Sequence, residues 1–186
     1  MATTPQVMTL EEFLRLPEEK PALEYVVGAV RQKVAPEAQH SLEQLILCRW
    51  IDDFGVPPKL AVALPEWRTI FAGAVHVPDV VVCVWNRMPR DARGRPAGPL
   101  REPPLVAVEV ASPEQSRKQL RDDCAWYVAN GVALALMVDP DSETIFVYRP
   151  GAEPERRQGA DVVDFGAALP GFQFVVQDLF AAARLD

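Results

Sequence analysis

Hydrophobic and polar positions along this chain switch between a period of two and a period near 3.6, and each switch marks an element. Thr9 followed three residues later by Glu12 forms a capping box ahead of Phe13, Leu14 and Leu16, which predicts a short helix ending near Pro17. Residues 23–27 alternate as a strand, a turn falls at or near Gly28, and a second strand runs to about Val34. Pro36 and Glu37 open a helix whose apolar positions Leu42, Leu45, Ile46, Cys48 and Ile51 repeat at the helical period, with Gly55 as its stop. Short strands follow at residues 59–64 and 69–71, separated by a turn at residues 65–68.

Two β-branched runs each carry one acid: Val77-Pro78-Asp79-Val80-Val81-Val82 and Leu105-Val106-Ala107-Val108-Glu109-Val110-Ala111-Ser112. Both read as strands, the first reaching about Trp85, and residues 86–104 between them form a long loop rich in Pro and Gly. Ser112-Pro113-Glu114 reads as an N-cap, a first-turn proline and a first-turn acid, predicting a helix to about Asn130 stopped by Gly131. Residues 132–138 are a buried strand, and residues 139–142 turn into an alternating partner at 144–148. A polar loop at 151–159, a turn at 169–172 and an amphipathic helix at 176–184 complete the chain.

Length and composition narrow the classes. At 186 residues and 49% hydrophobic, the chain is expected to form one domain, residues 1–186, with a substantial core. No apolar run is long enough to span a membrane, and Met1 to Pro5 lack a secretory pattern, so the expected location is cytoplasmic. Cys48, Cys83 and Cys124 are odd in number and lie in apolar segments, which predicts buried reduced thiols. The net charge of −7 argues against nucleic-acid binding through a broad basic surface, though not against a local basic patch.

An acid inside an apolar strand costs free energy unless it is paired, protonated or bound to a cation. Asp79 and Glu109 on neighbouring strands therefore point either to a shared divalent metal or to solvated strand ends. Glu24 is a third acid, facing one side of its strand, and could be an edge position or part of a site. Leu120, Asp123, Cys124 and Tyr127 share a helical stripe, placing Asp123 at the border of an inward face. His40, in a first helical turn, and Ser112 are candidates to line a pocket; two histidines are too few for a His-rich zinc site. The 86–104 loop carries Arg87, Arg90, Arg93 and Arg95, which could either hang over the acids and hold a phosphate backbone or be solvated.

The wording Leu23-Glu24-Tyr25-Val26-Val27-Gly28, Ala35-Pro36 with His40-Ser41, Pro78-Asp79-Val80, Glu109-Val110-Ala111-Ser112, Tyr127 through Gly131-Val132, Val138-Asp139-Pro140 and Leu169-Pro170-Gly171-Phe172, in this order, closely resembles the Uma2 family, or DUF820. That family looks like a branch of the PD-(D/E)XK restriction-endonuclease-like superfamily. The resemblance runs from about Thr9 to Phe180. It implies an α/β (α+β) fold with a mixed β-sheet flanked by helices, and hydrolysis of phosphodiester bonds dependent on Mg²⁺ or Mn²⁺. By the same resemblance Asp79 and Glu109 would hold the metal with the carbonyl of Val110, and Glu24 would be an outer ligand. A hard cation suits oxygen ligands, activates bound water and offsets charge building on phosphate.

The pattern is broken at one place. Uma2-like sequences look to carry a lysine four residues before the helix tyrosine, and this chain has Asp123 there. Arg121 stands about 200° around the helix from it and Lys118 about 140°, so neither replaces it. The expected site thus gathers up to four carboxylates, Glu24, Asp79, Glu109 and Asp123, without an obvious cation, and weakened or lost catalysis is expected. The leading expectation is a DNA endonuclease, expected as a homodimer because cutting two strands calls for two sites. A non-catalytic binding module on the same fold is the alternative. A small-molecule enzyme using a carboxylate pair has no supporting motif.

Overall fold

The computed structural model describes residues 8–184, so the reading of Met1 to Pro5 lies outside the described residues. In chain order the elements are α1 (Leu10–Phe13), β1 (Leu23–Val26), β2 (Ala29–Gln32), α2 (Ala38–Gly55), β3 (Ala61–Pro65), β4 (Thr69–Phe71), β5 (Ala74–His76) and β6 (Val80–Val84). After the long loop come β7 (Val106–Val110), α3 (Arg117–Ala129), β8 (Leu134–Asp139), β9 (Thr144–Tyr148), β10 (Glu155–Gln158), β11 (Val162–Asp164), β12 (Gln173–Val175) and α4 (Val176–Ala182).

A six-stranded sheet, ordered β10-β9-β8-β7-β6-β3, is mixed: β7 and β8 run parallel and its other neighbours antiparallel. The parallel pair is joined through α3, as a parallel crossover requires. Alternation along the central strands decides the two faces. Val106, Val108 and Val110 of β7 and Leu134, Leu136 and Val138 of β8 join Leu47 and Ile51 of α2 and Leu179 and Phe180 of α4 in the larger core. Ala107 and Ala111 on the other side of β7, with Ala135 and Met137 of β8, pack under Leu120, Cys124 and Tyr127 of α3. Glu109 has that second parity, so it points under α3. A smaller sheet, β2-β1-β5-β4, stands beside this face.

Several expectations change in detail. Helix α3 begins at Arg117, with Ser116 as N-cap accepting from the Gln119 N–H, and not at Ser112. The Ser112 carbonyl is instead used by a turn to the Gln115 N–H and by the Arg117 guanidinium. The polar loop at 151–159 contains β10, an edge strand of sequence Glu-Arg-Arg-Gln whose one strand partner is β9 and which therefore carries no apolar alternation. The hairpins β4–β5 and β11–β12 were not expected; their strands are only three residues long. All three cysteines are buried and free, as expected.

The β1–β2 hairpin closes through a strained turn. Its register pairs Val26 with Ala29, so Val27-Gly28 is a two-residue loop, with φ of 50° and 79°. Positive φ at both positions is the type I′ geometry that favours Asn-Gly, and a β-branched residue is strained there. The Val27 side chain is exposed and contributes no core contact to offset that strain. Val27→Asn is therefore expected to stabilise the protein by about 1 kcal/mol, measured as a higher urea midpoint with an unchanged slope.

Candidate active site

The antiparallel register of β6 and β7 pairs Val80 with Val108 and Val81 with Ala107. One step further along, Asp79 falls opposite Glu109. The hydrogen bond from the Val110 N–H to Asp79 Oδ2, at 2.7 Å, fastens the start of β6 to the end of β7. The backbone carbonyl of Asp79 accepts from Gln44 Nε2 of α2 at 2.5 Å. Glu109 Oε1 accepts from the Tyr127 hydroxyl of α3 at 2.6 Å. Each carboxylate thus has one oxygen fixed by the fold, leaving Asp79 Oδ1 and Glu109 Oε2.

Both remaining oxygens face the same cation. Lys33 Nζ lies 2.5 Å from Asp79 Oδ1 and 3.5 Å from Glu109 Oε2, and also donates to the Val77 carbonyl at 2.6 Å. Lys33 follows directly on β2, its N–H bonded to the Ala22 carbonyl. Two residues earlier and of the same parity, Arg31 pairs in register with Glu24, its Nε 2.7 Å from Glu24 Oε2. The same guanidinium donates from Nη2 to Asp123 Oδ2 at 2.8 Å. Glu24 Oε1 accepts from the Val77 N–H at 2.8 Å, so that acid closes the strand junction leading to Asp79.

The four acids, Glu24, Asp79, Glu109 and Asp123, are therefore brought together, each no more than 5% exposed. The expectation that they gather without a cation is overturned: the hairpin delivers Lys33 and Arg31 into the middle of them. Its cause is register, since a two-residue turn puts Arg31 across from Glu24 and the strand's twofold repeat puts Lys33 on the same side.

The charges settle accordingly. Burial works against an ionised Asp79, but Lys33 and then His40 outweigh it and hold the carboxyl down at about 2. Burial likewise opposes ionised Glu24 and is outweighed by Lys33, Arg31 and the Val77 N–H, leaving its pKa lowered. For Glu109 burial wins, helped by Asp79 and Glu24 against Lys33, and its pKa rises well above the usual carboxylate range. Asp123 is also raised, by burial that Arg31 only partly offsets. Lys33 itself, although burial disfavours its charge, is held ammonium by Asp79, Glu109 and Glu24. Glu109 is thus a carboxyl whose charged form the site disfavours.

His40 and Ser112 meet in the interior, although neither lines a cleft. His40 Nδ1 lies 3.1 Å from Ser112 Oγ, while its Nε2 is buried without a hydrogen-bond partner, 3.4 Å from Asp79 Oδ1. His76, buried against Trp126 and Tyr127, has its pKa pushed down to about 4 by burial, so it is neutral at pH 7.

Two clefts flank Lys33. One, of 240 Å³, is lined by Glu24, Arg31, Glu109, Gln119 and Asp123; the other, of 670 Å³, by Lys20, Trp67, Arg68, Val77 and Pro99, and Lys33 lines both. The arginines of the 86–104 loop do not line either. Arg95 pairs with Asp91, Arg87 approaches Glu102, and Arg90 stacks over Trp85.

Among the described residues no three of His, Cys, Asp and Glu form a ready-made metal cage. The donor set nevertheless fits a magnesium-type ion, which is held by one or two carboxylates and keeps several waters. A positive charge already sits between Asp79 Oδ1 and Glu109 Oε2, and an unpartnered histidine nitrogen lies 3.4 Å from the same Oδ1.

The family model Uma2, described as "Putative restriction endonuclease", matches residues 10–179. The chain belongs to the Uma2 family. A crystal structure from Anabaena variabilis, described as "a putative nuclease belonging to DUF820", is 32% identical to this Uma2 chain. It covers 95% of this chain and 99% of its own, with a TM-score of 0.90, which fixes the nuclease-like fold. A cryo-EM structure of a DrdV–DNA complex aligns over 77% of this chain and 11% of that one, at 17% identity and a TM-score of 0.37, too remote to bear on function. No curated protein matches.

In this Uma2 protein Asp123 is half of an ion pair rather than an empty lysine position. Asp123→Lys would set an ammonium against the Arg31 guanidinium in a buried cluster. A loss of about 3 kcal/mol in urea unfolding is expected, against a smaller loss for Asp123→Asn.

Glu43, fully buried on α2 beside His40, offers a separate check. Burial, assisted by Asp139 and Asp141, pushes its carboxyl up to about 7. A raised pKa means that the folded protein holds a proton the unfolded chain releases, so this stabilisation is complete below about pH 4.5 and is lost as pH rises through 7. Glu43→Gln should flatten stability between these limits and leave the variant more stable than wild type at pH 8, by on the order of 2 kcal/mol.

Proposed function

We propose that this Uma2 protein is a metal-dependent DNA endonuclease whose Asp79 and Glu109 hold Mg²⁺ or Mn²⁺. The observation that carries the reading is the convergence of Asp79 Oδ1 and Glu109 Oε2, from adjacent strands, on a single cation position. A divalent ion bound there would supply Lewis-acid stabilisation and a more acidic water. The chain's own residues supply the rest. The Val110 N–H and the Tyr127 hydroxyl fix the two carboxylates, so that they are aimed before anything binds. The carbonyl of Val110 would be a further oxygen donor, and Glu24, whose oxygens accept from the Val77 N–H and Arg31, would act as an outer ligand.

His40 Nε2, free of other partners, is within reach of a phosphate oxygen placed at Asp79. Cutting both strands at one position calls for two copies of the site, so the reading carries a homodimer with it, in the cytoplasm, where DNA is available. No described helix is long and apolar enough to cross a membrane.

A second reading, a binding module without catalysis, is favoured by the ion pairing itself, since Lys33 and Arg31 offset the acids with no metal present. Supercoiled plasmid incubated with Mg²⁺ or Mn²⁺ separates the two. Wild type is expected to nick it and Asp79→Asn to nick it at least about 100-fold more slowly. Equal rates would remove Asp79 from the chemistry. Salt-sensitive DNA binding with no cutting by wild type would leave the binding module.

A further inference from the structure

The position between Asp79 and Glu109 is already taken by the Lys33 ammonium, and two cations cannot share it. An Mg²⁺–oxygen distance of about 2.1 Å would leave the ion at most about 4.6 Å from an ammonium that is 2.5 Å from the same Oδ1, two like charges in a buried site. One of them must leave. The acids are tied down, Asp79 by the Val110 N–H and Glu109 by Tyr127, whereas Lys33, held at its backbone and by the Val77 carbonyl, carries its charge on a flexible four-carbon stem. The residue lines both the 240 Å³ and the 670 Å³ cleft, so a side chain only 9% exposed in this state has a cleft to move into.

Arg31 cannot take its place. Its guanidinium is already committed, Nε to Glu24 and Nη2 to Asp123. Among the described residues no other Lys or Arg is ion-paired with Asp79 or Glu109. The helix position where Uma2-like sequences look to carry a lysine holds Asp123, which serves to fix Arg31.

We propose that Lys33 is the catalytic cation of this site and the resident counter-ion of its metal-free form. A divalent metal displaces the ammonium from Asp79 Oδ1, and the displaced ammonium then faces the phosphate oxygens of the substrate. Lys33 transfers no group in this role; it supplies charge and hydrogen bonds. The proposal rests on the nuclease reading for the second half of this sequence of events but not for the first, because competition between metal and Lys33 exists with or without cleavage.

Mn²⁺ binding followed by the electron paramagnetic resonance of the free ion tests it, on wild type, Lys33→Met and Lys33→Gln. Lys118→Met, which alters an exposed lysine paired with Asp122, is the surface control. Removing the competitor should tighten Mn²⁺ binding about tenfold in both Lys33 variants and leave the control unchanged. Plasmid nicking should fall at least about 100-fold in both Lys33 variants. A damaged site does not bind metal more tightly, so the gain distinguishes displacement from misfolding. Lys33→Gln keeps a hydrogen-bonding side chain and serves if Lys33→Met does not fold.

Mn²⁺ affinity equal to or weaker than wild type in the folded Lys33 variants would overturn the displacement, as would no Mn²⁺ binding by any of the proteins. Undiminished nicking by them would overturn the catalytic role. If wild type cuts nothing, the nuclease reading and the catalytic role of Lys33 fail together, while the Mn²⁺ titration still decides whether Lys33 and metal compete.

Discussion

A carboxylate moved out of water costs several kcal/mol unless its lost hydration is replaced, and this fold replaces it four times in one place. Lys33 and Arg31 provide charge; the Val77 N–H, the Val110 N–H and the Tyr127 hydroxyl provide directed hydrogen bonds. The architecture around them follows from that demand. The β6–β7 register brings Asp79 opposite Glu109, the β1–β2 hairpin carries both cations to them, and α3 closes over the result with Asp123 and Tyr127. With two cations against four acids the charge is not fully offset, and Glu109, whose contact to Lys33 is longer than that of Asp79, is the one whose pKa is pushed well up.

The acid-bearing strands were legible because their signal is local. Each is a β-branched run with one carboxylate, and the parity of β7 sends Glu109 away from the three valines that enter the larger core. What closes the site was legible in principle but needed one more step. With Glu24 marked and a turn placed at Gly28, a two-residue loop sets Arg31 across from Glu24 and Lys33 two further along on the same side. Reading the second strand only as a run of strand formers hid both. The arginines of the 86–104 loop show the opposite error. A count of like charges says nothing about their partners, and Asp91, Glu102 and the Trp85 ring claim three of them locally. Strand β10 could not have been found by alternation, because an edge strand of four polar residues has none.

Position 123 shows why a motif position and a physical role can separate. What a buried acidic cluster requires is positive charge at a point in space, and a long side chain can bring it there from any element lining the site. In this chain the charge comes from β2, and the helix answers with an acid that holds Arg31 in place. A comparison confined to the helix reads the same fact as a loss.

The overall charge of −7 sets the remaining constraint. A net charge of this sign opposes a phosphate backbone at long range, so on the proposed reading affinity would come mainly from contacts made within reach of the surface. The 670 Å³ cleft beside Lys33 is where such contacts can form. Its walls balance Lys20, Lys33 and Arg68 against Glu18, Glu19 and Glu66, and add the flat surface of Trp67. A nearly neutral cleft with an aromatic wall discriminates by shape and stacking more than by charge. Lys33 sits at its inner edge, so the residue that neutralises the acids is also the one that an entering phosphate would meet.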